Sequence, residues 1–351
     1  MNNNISVTFV VGAGASKEIN MPIGSELKSL IARSLDCRPN ISQPNQASDK
    51  IKSSLYEITQ KNQGKTGNIE DYLSASQLIS RAMPLAISID NFIDSHRDNH
   101  RVAEIGKLAI TNCILEAEQK SLLYFDSTNS KNHIKFQTLE NTWYTSLFQL
   151  ITQNSQKEEL IEKLRRIRVV SFNYDRTLEH FLYNSLRHYY DLDLSETTNI
   201  LKNLIVLHPY GTVGNLPWQD TNNSVPYGGD TSVHELLRLS QGIKTFTEGT
   251  RLETSQISEI RSVVWNADTL VFLGFAYHEL NMKLLFDESR APETRYTNSV
   301  FGSAFGISES NKKAIALELK GMGKYSQEKI ILRKELTAAQ LIPEYSRSFK
   351  L

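Results

Sequence analysis

The chain has 351 residues, enough for one large domain or two smaller ones around a substantial core. Its 39 basic and 39 acidic residues cancel, which removes bulk electrostatic attraction to nucleic acid or anionic lipid, so no direct nucleic-acid binding is expected. Cys37 and Cys113 are too few for a four-thiolate zinc site, the start Met1-Asn2-Asn3-Asn4 lacks the regions of a signal peptide, and no apolar run reaches membrane-spanning length; a reduced, cytoplasmic protein with no membrane partner is expected.

A β-branched run predicts a first strand over Ile5–Val11. It enters Gly12-Ala13-Gly14-Ala15-Ser16, where glycines permit a tight turn and a following helix offers amides to a phosphate. The ordinary dinucleotide fingerprint is absent. Lys17 stands where a small residue is required, and Asp36 follows a helical pattern rather than a second strand. From Ser25 the character changes. Helical spacing is read over Ser25–Leu35, Asp71–Asp94, Val102–Phe125 and Leu139–Leu164, with polar linkers over Pro39–Asp49 and Lys61–Asn68. Strand signals then resume at Ile167–Ser171, Leu204–His208, Thr269–Gly274 and Ser299–Gly302. Helical segments alternate with them at Thr177–Tyr190, Ser232–Gln241, Thr254–Asn266 and Asn281–Arg290. The last stretch reads as a helix over Lys312–Gly321 followed by a basic end without clear pattern.

Strand alternating with helix predicts an α/β fold, a Rossmann-like doubly wound parallel sheet with a large helical insertion after the first βα unit. The expected organisation is a nucleotide-binding domain from residues 1–24 and 165–310, a helical insertion over 25–164, and a C-terminal helix and tail over 311–351.

Polar residues at the carboxyl ends of such strands are candidates for function, because the ligand crevice of an open α/β sheet lies there. Asn173 and Asp175 follow the Ile167–Ser171 strand and, two apart in an extended segment, point to one side while Phe172 and Tyr174 face the other. A helix cap accounts for one of these polar residues but not for both. His208 ends its strand in the same way, ahead of Pro209 and the glycines at 211 and 214. Gly274 and Phe275 end a further strand, where a small residue lets a cofactor approach the backbone. Glu279 and Asn281 either hold ribose hydroxyls or cap the next helix. His96 and His100 have metal-ligand spacing but read as a solvated pair, and His278-Glu279 has Met282 where a zinc-binding helix needs its second histidine. No metal site is expected.

Taken together, GAGAS, SFNYD, LHPYG and LVFLGFAYHELN resemble the sirtuin superfamily, and most closely the bacterial sirtuin-like NAD⁺ hydrolases of antiphage defence. The resemblance covers residues 5–24 and about 165–305. It implies a cofactor-binding set of Gly12, Ala13, Gly14, Ala15, Ser16, Asn173, Asp175, Gly274, Phe275 and Asn281, with Asn173, His208 and Asp175 in catalytic roles. Asn173 would hold water or a ribose hydroxyl, Asp175 would bind the carboxamide or support positive charge, and His208 would act as base. The chain departs from the deacylases of the superfamily: it has no zinc ribbon, Met21-Pro22-Ile23-Gly24 replaces their Asp-Phe-Arg element, and Pro209 replaces the glycine after the histidine. The resemblance therefore implies NAD⁺ as substrate, cleavage to nicotinamide and ADP-ribose in abortive infection, a homo-oligomer, and a separate activating partner such as a HerA-like ATPase or a nucleotide-sensing subunit. An NAD-dependent deacylase, an ADP-ribosyltransferase and a non-catalytic ADP-ribose or nucleotide sensor are the alternatives.

Overall fold

The computed structural model describes residues 6–37, 49–61, 68–129, 131–245, 248, 255–286, 297, 299–349 and 351. Six strands form one sheet: β1 (Val7–Val11), β2 (Ile167–Ser171), β3 (Ile205–Leu207), β4 (Thr269–Leu273), β5 (Ser299–Ser303) and β6 (Ile330–Arg333). Their order is β3-β2-β1-β4-β5-β6 and every neighbouring pair is parallel. The α/β doubly wound expectation holds. The chain builds outward from β1 in one direction through β2 and β3, then returns to the other flank with β4, β5 and β6. The reversal falls between β1 and β4, which is where such sheets open their ligand crevice.

The strand sequences explain these positions. β1 (VTFVV) and β4 (TLVFL) are buried throughout, as a strand covered on both faces requires. Thr8, the polar member of β1, satisfies its hydroxyl by donating to the carbonyl of Val263 at 2.9 Å. β3 and β6 lie at the edges and are half-exposed. The N-terminal strand starts at Val7; Ile5 lies outside the described residues, as do parts of both polar linkers and the stretch beyond Phe286 into which the Asn281–Arg290 reading extends.

Between β1 and β2 the chain forms only helices, 3-10 turns and loops among the described residues. Two long helical readings break into pieces for local reasons. Asp71–Asp94 becomes Ile69–Ala82 and Ile89–Ser95, because Pro84 stops the first helix and Ser88 caps the second by accepting from the Asn91 amide. Leu139–Leu164 becomes Trp143–Thr152 and Leu160–Arg165, with Thr142 as cap and Asn154 in the left-handed region between them. A helix over Asp49–Lys61 and another over Leu194–Leu201 had no counterpart in the sequence reading. At the centre of the insertion lies His100–Lys120, buried on most sides between Val102 and Glu118. The buried apolar side chains run as one continuous cluster from the sheet into this insertion. None of the described helices is long and apolar enough to cross a membrane.

The C-terminal stretch is a correction. Its basic end contains β6 and a helix over Ala338–Phe349 that packs on β4 and β5. Phe349 is fully buried and meets Phe9 and Phe301 edge-on, with ring centroids 5.9 and 6.0 Å apart. Charged residues around the short apolar run Ile330–Leu332 hid the strand, and Pro343 inside the helix hid the helix.

One ion pair joins the insertion to the sheet. Arg176, at the turn after β2, is buried with Glu118 of the central insertion helix; its Nε donates to Glu118 Oε1 at 3.1 Å. Arg176 also donates to the carbonyls of Asn215 and Val225, while Glu118 accepts from the Arg176 and Gly228 amides. Glu118→Ala would leave a buried guanidinium without its anion. We expect it to lower stability to urea by about 3–5 kcal/mol; a loss below about 1 kcal/mol would show that water replaces the carboxylate at no cost.

Candidate functional site

The carboxyl ends of β1, β2, β3 and β4 carry the residues singled out by sequence. After β1 the chain turns through Gly12 into a short helix, Ala13–Ser16, and a 3-10 turn, Lys17–Ile19. Glu18 then anchors two later helices, accepting from the Trp143 amide at 2.8 Å and the Ala339 amide at 2.9 Å. Burial holds the Glu18 pKa above its ordinary value even though both amides favour the anion.

The glycines in this turn have a physical reason other than the expected one. A Cβ on Gly12 or Gly14 would come within 2.7 and 2.8 Å of the carbonyl oxygen of Gly274. Gly274 has φ +55°, and a Cβ there would lie 1.9 Å from the Ala15 nitrogen. The turns after β1 and β4 thus touch backbone to backbone. Gly12 and Gly14 donate their amides to the carbonyls of Leu273 and Gly274, both at 3.0 Å. These two amides are therefore engaged with protein rather than turned toward an open phosphate cradle.

Beside this junction a chain of hydroxyls links Asn173 to Asp175. Asn173 Nδ2 donates to Ser16 Oγ at 2.9 Å, Ser16 Oγ meets Tyr144 Oη at 3.1 Å, and Tyr144 Oη meets Thr177 Oγ1 at 2.7 Å. Thr177 Oγ1 donates to Asp175 Oδ1 at 2.5 Å. Each hydroxyl has one proton, so the direction is set from both ends: Ser16 donates to Tyr144, and Tyr144 to Thr177. Such a chain polarises along its length toward the carboxylate. Asp175 also accepts the amide of Thr177, the first residue of the helix Thr177–Tyr190. Burial raises the Asp175 pKa to about 6 against the lowering effect of the Thr177 bonds.

The alternation expected of this segment is present. Asn173 and Asp175 share the hydroxyl chain, whereas Phe172 and Tyr174 enter an aromatic cluster with Tyr210 and Phe275. Tyr174 hydrogen-bonds Asp90 of the insertion, and Tyr210 Oη donates to Asn281 Oδ1 at 2.5 Å. His208 is brought beside Asn173, with Nδ1 at 3.1 Å from the Asn173 carbonyl oxygen and Nε2 at 2.8 Å from Glu179. Gly211 packs tightly: a Cβ there would lie 2.0 Å from the Gly242 carbonyl. Sequence reasoning missed Tyr144, Glu179 and Asp90. Only Glu179 left a local signal, one helical turn beyond Asp175.

The site is closed. Ser16, Asn173, Asp175, Glu179 and Trp143 surround a cavity of about 10 Å³, space for about one water. A ligand-sized cavity of about 660 Å³ opens one turn further along Ile89–Ser95, where Asp94 lines it with Arg97, His100 and Lys107. None of the expected site residues lines that cavity. Among the described residues no cluster of three or more His, Cys, Asp or Glu side chains is arranged to hold a metal, and His96 instead approaches the Phe92 carbonyl. Comparison with protein-family models and with curated proteins finds no match to this chain. The fold defines a Rossmann-like doubly wound α/β protein, and the chemistry must be argued from the site itself.

Two variants separate architecture from chemistry here. Gly274→Ala should lower the thermal midpoint by several degrees or abolish soluble expression, since its Cβ overlaps the Ala15 backbone in a strained conformation. Ser16→Ala should cost only about 1–2 kcal/mol, the loss of two hydrogen bonds, and leave the fold intact. Equal thermal melts for the two variants would contradict this division.

Proposed function

We propose that this chain is an NAD⁺ glycohydrolase that cleaves the nicotinamide–ribose bond, releasing nicotinamide and ADP-ribose. In the cell it would be a cytoplasmic homo-oligomer, kept inactive until a separate protein partner releases it, and it would deplete NAD⁺ in antiphage defence. The observation that supports this reading best is the convergence of Gly12–Ser16, Asn173–Asp175 and His208 at the carboxyl ends of three adjacent strands, with Gly274 on the fourth. Four short motifs far apart in sequence thereby share one sheet edge.

The chemistry fits the residues. Nicotinamide leaves a cationic ring as a neutral molecule, so bond breaking needs no general acid and no Lewis acid. The transition state carries oxocarbenium character, as in glycoside hydrolysis. Asp175, at the end of a polarised hydroxyl chain, offers negative charge for that centre, and Asn173 offers an amide for a ribose hydroxyl or the attacking water. Nicotinamide departs with the bonding electron pair, water bonds to the ribose carbon in its place, and the proton that the water loses passes to solvent, so neither carboxylate nor amide forms a covalent bond.

The closed geometry fits an enzyme held in check. A dinucleotide needs far more than 10 Å³, so turnover requires the side chains that line the chamber, among them Trp143 of the insertion, to part. A free-running hydrolase would exhaust its own cell, and a site sealed by the insertion supplies the restraint.

Purified protein incubated with NAD⁺, with its partner where one is needed, should release nicotinamide and ADP-ribose and leave an acetylated peptide untouched. Asn173→Ala and Asp175→Asn should each reduce the rate by about a hundredfold or more at equal folded protein. The rate should survive chelation with EDTA. It should also fall as the pH drops through about 6, because Asp175 then takes up a proton and loses its charge. Deacylation of the peptide, wild-type turnover by the Asn173 variant, or a rate unchanged between pH 7 and pH 5 would each contradict the reading.

A further inference from the structure

His208 is enclosed by acceptors. Its Nε2 lies 2.8 Å from Glu179 Oε1, and its Nδ1 lies 3.1 Å from the carbonyl oxygen of Asn173. A carboxylate and a carbonyl only accept hydrogen bonds, and a neutral imidazole has a single N–H to give. The neutral ring would therefore hold one lone pair against an oxygen lone pair. The two side chains are only 11% and 9% exposed, so little water is at hand to relieve that contact. The imidazolium satisfies both contacts at once.

We propose that Glu179 and His208 form a buried charged strut that positions Asn173 through its main-chain carbonyl, and that His208 is not the base of the reaction. Glu179 is then a positioning residue. It holds the imidazolium, the imidazolium holds the Asn173 carbonyl, and Ser16 holds the Asn173 side chain from the opposite side. The strut also joins the loop after β3 to the helix Thr177–Tyr190, fixing the spacing between two strand ends. As evidence about NAD⁺ cleavage this rests on the function proposed above; as a statement about the charge of His208 it rests on these contacts and on an ionised Glu179, which His208 and Arg176 favour.

The charged groups around the pair agree with this assignment. Asp175 and Arg176 lie in the turn after β2, Glu179 on the helix that follows, and Tyr210 in the loop beyond His208 itself. From Ser255–Trp265, the Gln256 side chain donates to the His208 carbonyl at 3.2 Å and accepts from Lys244 at 2.8 Å. Burial alone would pull the His208 pKa down, but the Glu179 carboxylate, aided by Asp175, holds it above the ordinary histidine value. Burial would push Glu179 up, but His208 and Arg176 hold it below the usual carboxylate range. The raised His208 contributes stability that is complete below its unfolded pKa and lost as pH rises through the folded one. The depressed Glu179 contributes stability that is lost as pH falls through its folded pKa. The pair is strongest between those limits.

The test is nitrogen NMR of protein labelled at histidine, with His208 identified by its loss in His208→Gln. At pH 7 both ring nitrogens of His208 should show protonated shifts, and the group should titrate above the ordinary value of about 6.5. In Glu179→Gln the group should titrate at least about one unit lower, a tenfold loss of proton affinity. A single protonated nitrogen at pH 7 in the wild type would overturn the strut. If Glu179→Gln fails to fold by circular dichroism, the wild-type spectrum still decides. Kinetics give a second reading of opposite sign for the two roles. A strut predicts that NAD⁺ cleavage falls as His208 loses its proton, and that the Glu179→Gln defect is smaller at pH 6 than at pH 8. A base predicts a rate that rises with pH through that same ionisation. If the wild type releases no nicotinamide under any condition, the function proposed above fails, and the spectra still settle the charge of His208.

Discussion

The buried pair Arg176–Glu118 is the constraint on which the rest depends. Both side chains are almost wholly removed from water, so neither charge is tolerable without the other. Arg176 belongs to the turn that carries Asn173 and Asp175, and Glu118 belongs to the central helix of the insertion. The guanidinium also takes carbonyls from the 215–226 loop, and the carboxylate takes the Gly228 amide. Three segments distant in sequence therefore meet at one charge pair. The turn after β2 is thereby tied to the insertion, which makes the helical module part of the site rather than an appendage to the sheet.

A second constraint is the backbone contact between the turns after β1 and β4. It explains why three glycines occur where they do and why the first loop presents Ser16 beside Asn173. The sequence reading treated these glycines as room for a phosphate. In the structure that room is filled by the other turn, so a branched residue at Gly14 would damage packing before it could block a ligand. The polar residues that sequence grouped by motif are instead connected by hydrogen bonds. Ser16, Tyr144 and Thr177 carry polarity from Asn173 to Asp175, and Glu179 fixes His208.

The sheet was readable because buried parallel strands write themselves as β-branched runs, and five of the six strands lie where such runs occur. β6 was not readable. It is a four-residue edge strand, half-exposed, among charged residues, and only its pairing with β5 makes it a strand. Helix breaks in the insertion had local signals that were passed over, namely Pro84 followed by Ser88 and the cap at Thr142. At the site, strand-end positions identified Asn173, Asp175 and His208 but not what surrounds them. Tyr144, Asp90 and Glu118 come from the insertion, where no periodicity announces partners 33, 84 and 58 residues further on. Pairing across such distances is a property of the fold, and it decides charge state: a histidine that looked like a base in sequence is held between two acceptors.

The proposed cleavage of NAD⁺ in the small chamber beside Asn173 is what the roles of the surrounding residues depend on. The most direct measurement is a crystal structure with a non-hydrolysable carbocyclic NAD⁺ analogue bound. We expect the nicotinamide ribose beside Asn173 and Asp175, the diphosphate near the Ala13–Ser16 turn, and Trp143 displaced from the chamber. An analogue bound elsewhere with the chamber unchanged would contradict that placement.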